Sequence, residues 1–315
     1  MLCFASALAA LVLASRLQLW ELFFIEFLFG AADGLFLPAV SAAVPDTVPD
    51  ADLVAANGLM GASEQATMIA GPAAGGVVVA TLGTWGAFAF NGATFVAAAV
   101  GAIPVPSRQR ATGQSLVSSI AEGIALIRSD RELRAVFALS CAEAATGGAV
   151  FVVGLPTLAR TRLGLGAFGL GLILTAWGVG QLVGALSASR TGLPSRWGRL
   201  LIATTVVDAC VFLAFSATSS VWLVVAILIP FGILVAYSSD VARPVWIQRH
   251  SRRDMMGRAF SLLELPYYSV APAGMLVFGA IAARSLSAAF VAAAASSLAV
   301  AVLALSSATV RRLSM

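Results

Sequence analysis

Six acidic residues lie inside long apolar stretches of the sequence, where an ionised side chain is costly. They are Asp33, Glu64, Glu143, Asp208, Asp240 and Glu264. A charge at the centre of a bilayer costs about 2.5–3.5 kcal/mol on insertion scales, so such residues usually face a cavity or a partner. A carboxyl group in that position can bind and release a proton or anchor a cationic ligand. The alternative is a carboxylate that holds helices together through hydrogen bonds to Ser, Thr or Asn.

The other polar residues do not indicate enzymatic chemistry. His250 is the only histidine, which excludes a multi-histidine metal site and disfavours a His-paired nucleophile. The chain has no lysine, so a phosphate-binding glycine loop that ends in Lys cannot form. Cys3, Cys141 and Cys210 are isolated from one another, unlike the cysteines of a disulfide framework or a metal cluster. We predict no catalytic residue, no bound metal and no cofactor.

The composition indicates that these residues are positioned by a membrane protein. Of the 315 residues 60% are hydrophobic and 11% are charged, and the mean hydropathy is +0.95. A soluble domain has about 45–50% apolar and about 25% charged residues. A water-soluble globule could not bury this much apolar surface, so soluble enzymes, nucleic-acid-binding proteins and disordered proteins are disfavoured. The sequence predicts an all-α polytopic membrane protein whose partners include the lipid bilayer but no nucleic acid.

The spacing of Pro, Gly and Arg clusters divides the apolar sequence into candidate membrane spans. A helix needs about 20 apolar residues to cross a bilayer. The division gives about ten transmembrane helices, at residues 2–14, 19–44, 53–82, 86–105, 135–158, 167–188, 200–216, 221–245, 256–283 and 288–308.

The arginines orient these spans. Fifteen of the nineteen, with Arg243 counted among them, fall on the same side of the predicted membrane. The positive-inside rule makes that side cytoplasmic and places both termini in the cytoplasm. Because the basic residues are all arginine and alanine is abundant, a GC-rich bacterial genome is indicated. We therefore expect the bacterial cytoplasmic membrane.

The longest polar connection divides the chain into unequal halves. Residues 1–106 form a predicted N-terminal bundle of four spans, and residues 134–315 form a C-terminal bundle of six. The linker between them, residues 107–133, has Leu116, Ile120, Ile124 and Ile127 at helical spacing. This pattern fits an amphipathic helix on the membrane surface. A plain tether with a helical turn is the alternative.

A short internal repeat suggests how the two halves correspond. Glu64 lies eight residues before Pro72, and Glu264 lies eight residues before Pro272, an offset of 200. The third span then matches the ninth, which implies a repeat unit of six helices. The first half would be incomplete, and the chain would correspond to helices 3–12 of a twelve-helix protein.

The sequence around the first copy of this repeat carries a family resemblance. The matching segments are Phe36-Leu37-Pro38-Ala39, Ala56-Asn57-Gly58 and Gly71-Pro72-Ala73-Ala74-Gly75-Gly76. They resemble the major facilitator superfamily, especially the drug-exporting branch that includes macrolide and enterobactin exporters. The resemblance implies two major facilitator-type helix bundles with a central cavity between them.

The resemblance also implies roles for individual residues. The resemblance implies that certain helices line the central cavity, and the chain lacks two helices of the complete fold. Each cavity helix that the chain contains carries one acid. These acids, the proton or substrate candidates, are Asp33, Glu143 and Asp240. The gating or interface candidates are Glu64, Gly71, Pro72, Gly75, Gly76, Glu264 and Pro272. Two alternatives stay open: a local ion pair between Asp240 and Arg243 on one helical face, and structural pairing of Glu64 and Glu264.

The function implied is secondary active transport by alternating access, with proton-coupled efflux of amphipathic small molecules or drugs. Its partners would be a small-molecule substrate and protons. Two alternatives remain: a truncated membrane protein that does not transport, and a facilitator or importer without proton coupling.

Overall fold

The computed structural model describes residues 18–102, 116–253 and 255–314. Within these ranges the regular structure is helical, and no strand occurs. We number the helices in chain order: α1 (Leu19–Thr47), α2 (Leu53–Ala102), α3 (Leu116–Ser129), α4 (Arg131–Thr161), α5 (Gly166–Thr191), α6 (Trp197–Ala217), α7 (Val221–His250), α8 (Met256–Ala282), α9 (Leu286–Ser306) and α10 (Ala308–Arg312).

Six of the described helices, α4 to α9, are long and apolar enough to cross a membrane. They correspond to the six spans predicted for the C-terminal bundle, because long uncharged runs identify such helices directly. An all-α membrane protein is therefore confirmed. The total of about ten spans stays a prediction, and the predicted span 2–14 lies outside the described residues.

Helix α2 is divided at Gly83, which has φ 73° and ψ −178°. Glycine adopts such a left-handed φ without the steric cost that a side chain would bring. The division falls between the predicted spans 53–82 and 86–105. Helix α3 lies in the predicted linker, where Leu126 and Ile127 pack against the core of the C-terminal helices.

Two spans contain π-helical segments, and a proline explains each of them. In α4 the segment is Val150–Gly154, and in α7 it is Ala236–Ala242. Pro156 and Pro244 follow these segments at the start of the next helical turn. A proline has no N–H to donate, and its ring clashes with the carbonyl four residues earlier, so the preceding turn widens. The segment Ala236–Ala242 changes the direction in which the following residues of α7 project.

The C-terminal helices pack closely through glycines. A Cβ atom at Gly180 or Gly184 of α5 would collide with the backbone of α7 at Ile229 or Ile233. Gly274 of α8 meets Ala145 of α4 in the same way. Small residues allow helix backbones to approach this closely. They fix α5 against α7 and α8 against α4, and α4, α7 and α8 carry the candidate site.

Candidate functional site

The candidate site is centred on Arg243, which lies in α7 directly after the π-helical segment. Arg243 is only 8% exposed. Its Nη2 forms an ion pair with Glu143 Oε2 of α4 and donates to Ser239 Oγ at 3.0 Å. Its Nη1 donates to Tyr267 Oη of α8 at 3.3 Å. The guanidinium therefore joins three membrane-spanning helices.

Ser239 completes the hydrogen bonding of the paired carboxylate. Its hydroxyl donates to Glu143 Oε1 at 3.2 Å, while Arg243 holds the other oxygen. Removing two charges from water is costly, and a buried pair compensates for this only when its remaining polar atoms are also satisfied. Because Ser239 precedes Arg243 by four residues, both side chains reach Glu143 from α7.

This arrangement corrects two interpretations of the sequence. Arg243 was assigned to the cytoplasmic arginines that set the topology, but its side chain is buried among the helices. A local ion pair between Asp240 and Arg243 was the simple explanation for Asp240, but the arginine turns to Glu143 instead. Asp240 Oδ2 accepts a hydrogen bond from Gln181 Nε2 of α5 at 3.1 Å. The widened π turn separates the directions of the two side chains.

Two further predicted residues lie close enough to interact with this centre. Glu64 of α2 and Glu264 of α8 interact electrostatically with each other and with Glu143 or Asp240. Glu143, Asp240 and Glu264 thus lie within electrostatic range of the buried Arg243, and Glu64 lies within range of Asp240 and Glu264. Charged groups inside a membrane protein usually mark a functional pathway or a structural pair.

Among the described residues, Gly71, Gly75 and Pro272 make no contact with this centre. The surroundings of Asp33, Pro72 and Gly76 lie outside the described part of the structure. A Cβ atom at Gly71 or Gly75 would meet no described atom within 4 Å.

One glycine lies where two helices approach closely, and one predicted proline lies near a break in a helix. The close approach of α2 to α5 falls at Gly58, where a Cβ atom would lie 2.7 Å from Ser189 Cβ. Pro272 is exposed near the break in α8 at Val270. The interface roles of Gly71, Pro72, Gly75, Gly76 and Pro272 stay predictions.

A buried amide pair connects the N-terminal helices to α7. Asn57 Nδ2 donates to Gln248 Oε1 at 2.7 Å, and Gln248 Nε2 donates to Asn57 Oδ1 at 3.3 Å. Gln248 Nε2 also donates to the carbonyl oxygen of Ser41 in α1 at 3.2 Å. Sequence reasoning did not select this pair, although Asn57 belongs to the segment that carries the family resemblance.

Comparison with known proteins identifies the family. A major facilitator family model described as transmembrane secretion effector matches residues 1–314. The chain belongs to this family. The transmembrane secretion effector family is of the major facilitator transporter type, so the protein is an integral membrane transporter for a small-molecule substrate. No curated protein matches the chain.

In this member of the transmembrane secretion effector family, two residues at the centre were not among the site candidates predicted from the sequence. They are Arg243 and Asp208. Asp208 of α6 was one of the six acids in apolar stretches but was not named as a site candidate. In the structure Asp208 borders the same cavity as Glu143 and Arg243. A signal for Arg243 was present, since this arginine lies inside the apolar span predicted at 221–245.

Proposed function

We propose that the protein is a secondary active transporter that exports an amphipathic small molecule in exchange for protons. Two helix bundles, residues 1–106 and 134–315, rock against each other and expose a central cavity to alternate sides of the membrane. The membrane is the bacterial cytoplasmic membrane, and both termini lie in the cytoplasm.

The charge imbalance around Arg243 is the observation that carries this proposal. Glu143 is paired with Arg243. Asp240 and Glu264 lie within electrostatic range of the pair, and Glu64 lies within range of Asp240 and Glu264. One guanidinium cannot balance four carboxylates in a medium of low dielectric constant, whereas bound protons can. Protonation then changes which side chains pair across α4, α7 and α8, and this biases the equilibrium between two helix arrangements.

The position of the arginines supports the proposed orientation. Gly198 N donates to Leu313 O at 3.2 Å, so the α5–α6 connection and the C-terminal segment lie at one end of the helices. Four arginines flank the two residues of this contact: Arg196, Arg199, Arg311 and Arg312. An excess of arginine at one end is typical of the cytoplasmic side.

The test is movement of a fluorescent amphipathic cation in proteoliposomes that contain the purified chain, with and without an imposed pH gradient. We expect the gradient to accelerate movement of the dye. Transport that is insensitive to the gradient would favour a facilitator or importer, and no transport by folded protein would favour the non-transporting alternative.

The carboxyl groups are tested by isosteric amides. Asp33→Asn and Asp240→Asn should abolish the response to the gradient, because an amide cannot carry a proton. Asp240→Asn retains an oxygen that can accept from Gln181. Asp52→Asn changes an exposed acid of the turn Asp50–Asp52 and is the matched control. If both membrane variants respond as the control does, these carboxyl groups do not carry the coupling.

A further inference from the structure

A small polar cavity lies inside the C-terminal helices, beside the pair of Glu143 and Arg243. Its volume is about 20 Å³, which is enough for one water molecule. The other polar side chains that line it come from four helices: Thr146 of α4, Thr204, Thr205 and Asp208 of α6, Ser239 of α7, and Ser297 of α9.

The threonines offer this cavity lone pairs rather than hydrogens. Thr146 Oγ1 donates its hydrogen to the carbonyl oxygen of Ala142 at 3.0 Å. Thr204 and Thr205 donate theirs to carbonyl oxygens of their own helix, each at 2.9 Å. A hydroxyl group has one hydrogen, so these oxygens can only accept from whatever occupies the cavity.

The charged groups require an occupant that both donates and accepts. Arg243 Nε is buried and has no acceptor among the described residues. Within the same part of the chain no donor is found for the Asp208 carboxyl group. The charged groups that face Asp208 from neighbouring helices are Glu143 of α4 and Arg243 of α7. A water molecule would accept from Arg243 Nε and, when Asp208 is ionised, donate to Asp208. When Asp208 is protonated, the same water would accept from Asp208 and donate to Glu143, which lines the same cavity.

We propose that Asp208 is a proton-carrying residue of the transporter and exchanges its proton with Glu143 through a water molecule in this cavity. The inference rests on the proposed function, for which it names a further coupling residue. Two carboxyl groups share one guanidinium, so one bound proton makes the group of Asp208, Glu143 and Arg243 neutral.

The transfer conserves charge and needs no other reactant. Asp208 gives its proton to the water molecule, and the water molecule gives one of its own protons to Glu143. Glu143 becomes neutral and releases Arg243, whose guanidinium then pairs with the ionised Asp208. Because Arg243 also joins α7 to Tyr267 of α8, this exchange of partners changes the contacts between helices.

The test compares two kinds of transport by the reconstituted 315-residue chain. The first is dye movement driven by a pH gradient, and the second is exchange of internal for external dye without a gradient. Asp208→Asn should slow gradient-driven movement by about tenfold and leave exchange near the wild-type rate. Asp208→Glu should restore part of the gradient response. A purely structural role would reduce both kinds of transport together.

Threonine variants test the cavity without changing charge. Thr205→Val removes an acceptor oxygen from the lining and should weaken the gradient response. Thr157→Val is the matched control, because Thr157 donates to Val153 O at 2.7 Å in the same helical geometry and does not border the cavity.

The outcomes separate this inference from the proposed function. If the wild-type protein responds to the gradient and Asp208→Asn responds equally, the inference is wrong and the proposed function stands. Equal loss of both kinds of transport in folded Asp208→Asn also overturns it. If the wild-type protein shows no gradient response, both proposals fail.

Discussion

Asn57 of α2 and Gln248 of α7 exchange two hydrogen bonds through their side-chain amides, at 2.7 and 3.3 Å, and both residues are buried. The two positions are 191 residues apart in the chain. Val44 of α1, Leu53 of α2 and Val245 of α7 form an apolar cluster with their neighbours around this region. The amide pair is thus the polar centre of a contact between the N-terminal helices and α7.

We predict that removing one amide weakens this contact more than removing both. Asn57→Leu leaves Gln248 Oε1 buried without its donor, which costs about 1–3 kcal/mol, while Gln248 Nε2 keeps the carbonyl oxygen of Ser41. Hydrogen–deuterium exchange should become faster in the peptides that cover residues 53–60 and 243–250. The double variant with Gln248→Leu should restore part of the protection, since it leaves neither amide unpaired. Strictly additive effects would contradict the pairing.

Glu143 and Arg243 should depend on each other for stability. Glu143→Gln leaves a buried guanidinium without its counter-charge, a change that costs about 3–5 kcal/mol. The melting temperature of the detergent-solubilised protein should fall for each single variant. For the double variant Glu143→Gln, Arg243→Gln the decrease should be smaller than the sum of the two single decreases. Asp52→Asn is the control for loss of one negative charge at an exposed position.

Arg162 joins the ends of three helices on the side away from the amide pair. Its guanidinium donates to carbonyl oxygens of Phe215 and Ser216 at 3.1 and 2.8 Å and to Ser287 Oγ at 2.6 Å. Hydrogen bonds of charged groups contribute about 1.5–3 kcal/mol, so Arg162→Ala should lower the melting temperature clearly. Arg160→Ala removes an exposed arginine of the same helical turn and should have little effect. Equal losses would argue against a specific role for Arg162.

The packing of α8 on α4 should tolerate no added methyl group at Gly274. A Cβ atom there would overlap the backbone of Ala145, and overpacking costs about 1–3 kcal/mol. Gly147→Ala on α4 is the matched control, because a Cβ atom there meets nothing within 4 Å. Alanine favours a helix by about 1 kcal/mol over glycine, so thermal stability should fall for Gly274→Ala and stay level or rise for Gly147→Ala.

The Asp130 carboxylate should make the start of α4 sensitive to acid. His250 Nε2 and Asp130 Oδ2 are 2.7 Å apart, and Asp130 caps the start of α4 by accepting from the N–H groups of Glu132 and Leu133. Burial acts to raise the pKa of Asp130, but the hydrogen bonds from His250 and from the two backbone N–H groups outweigh it and lower the pKa.

Because the pKa of Asp130 is lowered in the folded protein, the stabilisation that its carboxylate provides depends on pH. Its stabilisation is fully present above the unfolded Asp value of about 3.9 and is lost as the pH falls through the lower folded value. We therefore expect Asp130→Asn to melt below the wild type near neutral pH, with a difference that closes below about pH 4. In a His250→Gln background the difference should be smaller at neutral pH. A difference that stays constant down to pH 3 would contradict this assignment.

The helical spans could be predicted from the sequence, whereas the central pairing could not. Long apolar runs identify α4 to α9 directly, and Gly83 divides α2 between the predicted spans 53–82 and 86–105. The pairing of Glu143 with Arg243 depends on how α4 and α7 pack and on the π-helical turn before Pro244. An arginine near the end of an apolar span resembles a topology signal when only the sequence is considered, and tertiary packing assigns it to the interior.

The most direct test of proton coupling is proton movement driven by substrate. The proteoliposomes would contain a pH-sensitive dye that reports the internal pH. An outward or inward substrate gradient would be imposed on them while the initial pH is equal on both sides. Because coupling is reciprocal, the substrate gradient should drive protons in the opposite direction, and Asp240→Asn should abolish this flux. Substrate movement by the wild-type protein without any proton flux would contradict the proposal that it is a proton-coupled exporter.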